Sequence, residues 1–230
     1  MKTVLLFAAC SMLHAQQSAE PYPLAIGNYW VYQGHDSEPA VSDAQGRLLP
    51  PQTKRTSLRC KIVEVVQRKG SGPQSPPMTA ARFDNFPLRS GEIILLTVNS
   101  KQLYVVDYRE PSDALRILRR VQNPRDDLAD LLRATPLVSM PLVPGKIWGP
   151  HVEEWSVVRR AHSLLRGVSG AEAAANLDGF ILASGDNTHN IRVDFVPGIG
   201  ITHVFSASLF QAGDPNHWEV ESQLVEVYLH

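Results

Sequence analysis

Glu92-Ile93-Ile94-Leu95-Leu96-Thr97-Val98, then Asn99-Ser100-Lys101-Gln102, then Leu103-Tyr104-Val105-Val106-Asp107-Tyr108 is the stretch whose reading decides the fold. Two runs rich in β-branched and aromatic residues flank a short polar turn, which is the pattern of an antiparallel hairpin. The same grammar recurs in both directions along the chain. Upstream lie Trp30-Val31-Tyr32 and the Val/Ile-rich run from Thr56 to Gln67. Downstream lie Trp155-Ser156-Val157, Phe180-Ile181-Leu182-Ala183, and a second hairpin in which Ile191–Phe195 and Ile201–Phe205 flank Val196-Pro197-Gly198-Ile199-Gly200. Trp218 to Leu229 reads as one long final strand. Polar Gly/Pro-bearing loops, His35 to Pro51 and Lys69 to Pro77, punctuate the series. Helices do not alternate with strands, so a βαβ architecture is excluded.

One helix is predicted. Asn123 can cap it, Pro124 suits the first helical position, and Asp126 and Asp127 fall where the helix dipole favours anions. Leu128, Leu131 and Leu132 supply its apolar stripe, and Pro136 bounds it. Ala114 to Val121 alternates enough to be read as strand in preference to helix. Ala171 to Asn176 is read as a helical turn. The fold class is therefore mostly β: an antiparallel curved sheet or half-open barrel of about nine or ten strands with one short helix.

A phrase stands in the chain twice. Pro23-Leu24-Ala25-Ile26-Gly27-Asn28-Tyr29-Trp30 and Pro141-Leu142-Val143-Pro144-Gly145-Lys146-Ile147-Trp148 are both P-L-x-x-G-x-x-W, and the chain has only four Trp. Pro fixes φ, Gly permits the turn, and Trp brings the apolar area that pins the incoming strand. The expectation is that Trp30 and Trp148 are both largely buried at strand starts. The repeat divides residues 16–230, read as a single β-rich domain, into pseudo-halves 21–135 and 136–230. A shared ancestry of the halves and one corner type used twice are both open.

The N-terminus has the anatomy of an export signal: Lys2, the mostly apolar run Thr3 to Leu13, then Leu13-His14-Ala15 before polar Gln16. Residues 1–15 are expected to be removed, with cleavage after Ala15. Phe7-Ala8-Ala9-Cys10 offers an alternative, in which Cys10 is lipidated and anchors the protein to a membrane. The apolar run is short of the roughly 20 residues a transmembrane helix needs. The expected location is periplasmic or extracellular. Cleavage after Ala15 leaves Cys60 as the remaining thiol; it alternates with Leu58 and Ile62 and is read as a buried small hydrophobe.

Formal net charge is −1, with no run of like charge, so no broad field favours nucleic acid. Gly167-Val168-Ser169-Gly170-Ala171 fails the G-x-S-x-G elbow at its last position, and no P-loop, G-x-G-x-x-G, H-E-x-x-H or C-x-x-C occurs. No cofactor is implied. The one group that invites chemistry is C-terminal: His189, His203 and His217 with Asp194. Pairing Val196 with Ile201 would set Asp194 opposite His203, which is either a stabilising cross-strand contact or the start of a metal or acid–base site. The Trp and Tyr residues at strand starts are read as core in preference to a ligand platform.

Tyr22-Pro23-Leu24-x-x-Gly27-Asn28-x-Trp30-x-Tyr32 resembles the opening of a loose group of bacterial exported proteins and lipoproteins, as do the second P-L-x-x-G-x-x-W and the turn Pro197-Gly198-Ile199-Gly200. The resemblance covers three short motifs over most of the chain. It implies export and a sheet-rich, non-enzymatic protein, and it implies no catalytic residue. The functional expectation is an envelope protein serving as a binding or structural module. Its partner would be a lipid or other apolar ligand on a curved sheet, or another envelope protein. The competing expectation is a secreted hydrolase or metal-dependent enzyme built on the C-terminal His/Asp group.

Overall fold

The computed structural model describes residues 21–230 except 50, 51, 71, 73, 74, 89, 90, 152, 187, 188, 211–213 and 215. The expected cleavage at Ala15 and lipidation at Cys10 lie outside the described residues. Twelve strands form one antiparallel, nearly closed barrel-like sheet: β1 (Tyr29–Ser37), β2 (Thr53–Arg68), β3 (Met78–Phe83), β4 (Ile93–Val98), β5 (Gln102–Val106), β6 (Val138–Ser139), β7 (Ile147–Trp148), β8 (Trp155–Ala161), β9 (Gly179–Gly185), β10 (His189–Val196), β11 (Gly200–Ser208) and β12 (Glu219–Tyr228). Each strand pairs with its chain neighbours, β1 pairs with β12, and the ladder is interrupted between β6 and β7. The count exceeds the expectation because β3 and the two-residue strands β6 and β7 carry little sequence signal.

The hairpin at 92–108 forms as β4 and β5, with Val98 opposite Gln102. Asn99 and Ser100 both take positive φ, and Lys101 N–H donates to Val98 O. All six β4 residues are buried, because the strand is covered on both faces. Ile93 and Leu95 face the interior, where they join Tyr22, Trp30, Phe83 and Phe86. Ile94 and Leu96 face outward, under the helix.

That helix corrects the sequence reading. α1 spans Pro111–Gln122, and 123–135 is a series of turns. The segment read as strand is helical because Ala114, Ile117, Leu118 and Val121 recur at helical spacing, and these residues are the buried ones. Pro111 opens the helix, Asp113 sits in its first turn, and Arg119 and Arg120 in its last. Pro124 ends it instead of starting one: it holds Asn123 extended, at φ −82° and ψ 112°. The predicted turn near 171–176 is present as a 3₁₀ turn at Glu172–Ala174.

The two P-L-x-x-G-x-x-W phrases fold as one device. Gly27 (φ +92°) and Gly145 (φ +83°) both need the left-handed region. Asn28 N–H donates to Ala25 O, and Lys146 N–H to Val143 O, three residues back in each case. Gly27 N–H donates to Ile62 O on β2, and Gly145 N–H to Val157 O on β8, the next strand in each half. The Trp residues then differ. Trp30 is fully buried at the sheet's centre, with its ring 4.9 Å from Tyr22 and its Nε1–H donating to Ile199 O at 2.8 Å. Trp148 is only half-buried, because β7 stands at the interruption of the sheet, where its Nε1–H donates to Pro136 O at 2.7 Å. Both were expected to be largely buried at strand starts: Trp30 is fully buried, and Trp148 is partly buried and packed against the same core.

Candidate functional site

Where the ladder stops between β6 and β7, side chains take over. Lys146 Nζ donates to Ser139 O and, at 3.1 Å, to Pro141 O. Trp148 reaches Pro136, and Thr135 Oγ1 donates to Glu153 Oε2 at 3.2 Å. Partial burial lowers the Lys146 ammonium pKa from its ordinary value. Beside this seam the two halves diverge and leave a half-open cleft of about 540 Å³. One wall is Leu88, the end of β5 at Val105, and Leu131 and Leu137 from the turns after α1. The facing wall is Trp155 of β8, Ser184 and Gly185 of β9, and Ile191 of β10.

The cleft lining mixes these apolar side chains with four carboxylates, Asp107, Asp130, Glu153 and Asp186, and with His189. Asp130 is held by Arg120 through two hydrogen bonds of 2.7 and 2.8 Å. The Arg120 guanidinium lowers its carboxyl pKa to about 2. Glu153 is tied to Thr135 across the seam. The arrangement offers both apolar surface, at Trp155 and Leu131, and carboxylates to a molecule lodged in the cleft.

The concave face of the sheet, the place expected for an apolar ligand, is filled. Tyr22, Trp30, Tyr32, Phe83, Phe86 and Phe195 pack there with no more than 1% exposure each. The strand-start aromatics are therefore core, as their burial area favours. Among the described residues the buried Tyr22 hydroxyl has no hydrogen-bond partner of normal geometry, whereas the Tyr32 hydroxyl donates to Ile201 O at 2.8 Å. Burial raises the pKa of both phenols and of the Cys60 thiol. Cys60 is fully enclosed, in keeping with its reading as a small hydrophobe.

The C-terminal His/Asp group is partly brought together. Asp194 does stand opposite His203, although Phe195, not Val196, pairs with Ile201, because a bulge places the extra residue Thr202 in β11. The Asp194–His203 contact is long, 3.9 Å, and Asp194 is held instead by Arg192 at 3.1 Å. His203 Nε2–H donates to Glu221 at 2.8 Å. The other imidazoles lie elsewhere. His217 Nδ1–H donates to Phe210 O at 2.8 Å. His189 sits with Asp186 and opposite Ser208, five residues along β11 from His203 and so roughly 17 Å away at strand rise. Among the described residues no three His, Cys, Asp or Glu side chains converge in a metal-binding arrangement.

Sequence reasoning did not find the cleft. Its walls come from residues 88, 105, 131, 137, 155 and 191, which no local motif connects. The nearest signal is the second P-L-x-x-G-x-x-W phrase, Pro141–Trp148, which the sequence reading takes only as part of the later pseudo-half.

No family model matches this chain, and no curated protein is similar to it. Among solved structures it is similar to a candidate lipoprotein of Parabacteroides distasonis, at 12% identity and a TM-score of 0.39, over 91% of this chain and 99% of that one.

Proposed function

We propose that this chain is an exported envelope protein that works as a binding module, holding the apolar body of a ligand in the seam cleft. The observation that carries the reading is the cleft itself. At about 540 Å³ it falls in the range of small-molecule sites, and its facing walls are Leu131, Leu137 and Val105 against Trp155 and Ile191. Export is supported by Lys2 and the apolar run from Thr3 to Leu13. The ligand class is a lipid or another molecule with an apolar body and a polar group that meets the cleft's polar lining. The filled interior moves this site from the concave face to the seam.

The test is native mass spectrometry of the exported protein, followed by titration with Nile red. A co-purifying apolar molecule, or Nile red binding that Ala134→Trp abolishes, is expected. Ala134 lines the cleft and the indole would occupy it. No bound molecule together with Nile red binding indifferent to Ala134→Trp would sink the reading. The mature N-terminus, read in the same spectra, tests export: Gln16 is expected for simple secretion and an acylated Cys10 for anchoring.

A further inference from the structure

One wall of the cleft is neither strand nor helix. The connection from α1 to β6, residues 123–137, carries only turns, and it supplies Asp130, Leu131, Ala134, Thr135 and Leu137 to the lining. Connections longer than about 12 residues without secondary structure are uncommon in compact domains, and lids and binding loops are among their uses. This one is anchored at two places. At the first, Leu128 is buried with residues of α1 and β4, and Leu131 N–H and Leu132 N–H both donate to Leu128 O. Arg120 of α1 grips the Asp130 carboxylate and the Asp127 carbonyl there. At the second, Leu137 is buried in the inner core, and the Pro136 carbonyl accepts from Trp148 Nε1–H at 2.7 Å.

Between these anchors the span 133–135 is held lightly. Among the described residues no backbone N–H of Arg133, Ala134 or Thr135 donates to another backbone group. Arg133 and Ala134 are exposed, and Thr135 is half-buried. The span meets the facing half through the Thr135 hydroxyl, which donates to the Glu153 carboxylate at 3.2 Å across the seam. Gly149 leaves room for that side chain: a Cβ there would stand 2.6 Å from Thr135 Cγ2. Few backbone bonds and little buried apolar surface mark a segment that opens locally, at far less free energy than global unfolding. The anchors stay in place, because each buries a leucine.

We propose that residues 133–135 gate the cleft. The span swings away from Glu153 to admit a ligand and returns to close over it. Leu128 and Leu137 are the fixed ends, and the Thr135–Glu153 hydrogen bond is the latch. The gate rests on the reading of the cleft as a binding site, and it adds that opening sets the rates of entry and exit. A latch that breaks before the ligand enters, and again before it leaves, weighs on both rates equally. Loosening it therefore speeds association and dissociation alike and leaves affinity in place. A side chain that merely touches the ligand behaves differently, because its loss is felt in dissociation and so in affinity.

Stopped-flow fluorescence with Nile red and the exported protein reads both rates. Thr135→Val keeps the shape of the side chain and deletes the latch donor. Both rates are expected to rise about fivefold, the weight of one hydrogen bond, with Kd within about twofold of the parent's. Thr135→Ser retains the hydroxyl and should keep both rates near the parent's. Trp148→Phe releases Pro136 from outside the cleft lining and should also quicken both rates, because the free span lengthens. The thermal melt of Thr135→Val should match the parent's, since the latch lies at the surface. Unchanged rates in Thr135→Val and Trp148→Phe overturn the gate, while Nile red binding by the parent keeps the cleft reading. So does faster dissociation alone with a weaker Kd, or an equal gain in Thr135→Ser. No Nile red binding by the parent overturns the cleft reading and the gate with it.

Discussion

Strands β3–β5 and strands β9–β11 build inner walls of one core from opposite halves of the chain, yet their outer faces have different solutions. In the first half Ile94, Leu96, Met78 and Ala80 are apolar outward and lie under Ala114, Ile117, Leu118 and Val121 of α1. In the second half the outward positions mix charged groups with Ile181, Ala183 and Phe205, and among the described residues no helix covers them. Arg192 holds Asp194, His203 holds Glu221, and His35 of β1 reaches Glu219 at 2.8 Å and Glu221 at 3.6 Å. The lesson is that one inner wall can be kept while the outer face is either sealed by a helix or left to water and charge. A sealed face depends on area removed from water. A charged face contributes little per pair, because solvent screens it.

The sharpest way to break this comparison is to place a charge under the helix. Leu118→Asp buries a carboxylate among apolar neighbours and is expected to cost about 4 kcal/mol or more. Urea denaturation followed by circular dichroism measures it. A loss below about 1 kcal/mol would mean that α1 lifts away easily and that the two outer faces are alike after all.

The repeated corner gives the next effect in size. Trp30→Phe keeps an aromatic ring but leaves the buried Ile199 carbonyl without its donor, for about 2–4 kcal/mol including the smaller volume. Trp148→Phe removes the donor to Pro136 at the half-buried seam, for about 1 kcal/mol. Equal losses on denaturation would show that the seam is as tightly packed as the centre.

Legibility follows the same division. The hairpin at 92–108 and the final strand were readable because their apolar runs are local and their turns carry their own chemistry. The Pro197-Gly198-Ile199-Gly200 turn was readable on the same grounds. The helix was misread because Ala114–Val121 satisfies both periods over eight residues, and only packing against Ile94 and Leu96 decides between them. Pro124 was ambiguous for a physical reason: the ring that favours a helix start also forbids α conformation in the residue before it. Trp148 looked identical to Trp30 because its turn is identical; what differs is strand order, which the motif does not encode. The Asp194–His203 pair was expected from a Val196–Ile201 register that does not form; the turn closes on Val196 and Gly200, and only the bulge at Thr202, which the sequence does not signal, restores Asp194 opposite His203. The cleft is assembled from segments far apart in sequence, and its existence depends on where the ladder stops.

A third effect belongs to the inner wall that both halves share. Burial raises the Tyr22 and Tyr32 phenols above the ordinary value near 10, and it raises the Cys60 thiol as well. In the unfolded chain these groups lose protons at their ordinary values, while the folded chain keeps them. Their contribution is therefore complete below about pH 8 and falls beyond as first the thiol and then the phenols ionise in the unfolded chain, by about 1.4 kcal/mol per pH unit for each proton retained. Tyr32→Phe removes one such group, so its stability should fall less steeply than the parent's between about pH 10 and 11. Parallel slopes in denaturation midpoints would show that the phenol is already reached by water.

The smallest expected effect tests the charged face directly. Glu221 accepts from His203 and lies within reach of His35, and its side chain is 41% exposed. Glu221→Gln keeps the shape and a hydrogen-bond acceptor while removing the charge. Because both contacts are wet, the loss should stay under about 1 kcal/mol and shrink further in concentrated salt. Denaturation midpoints at low and high ionic strength measure both quantities. A salt-insensitive loss near that of Leu118→Asp would overturn the comparison. It would mean that the row of His and acidic side chains across β1, β12, β11 and β10 is a desolvated network, which holds its half of the sheet as α1 holds the other. A small, salt-sensitive loss would place the second half's stability in its inner wall, with Val193, Phe195, Val204 and Leu224.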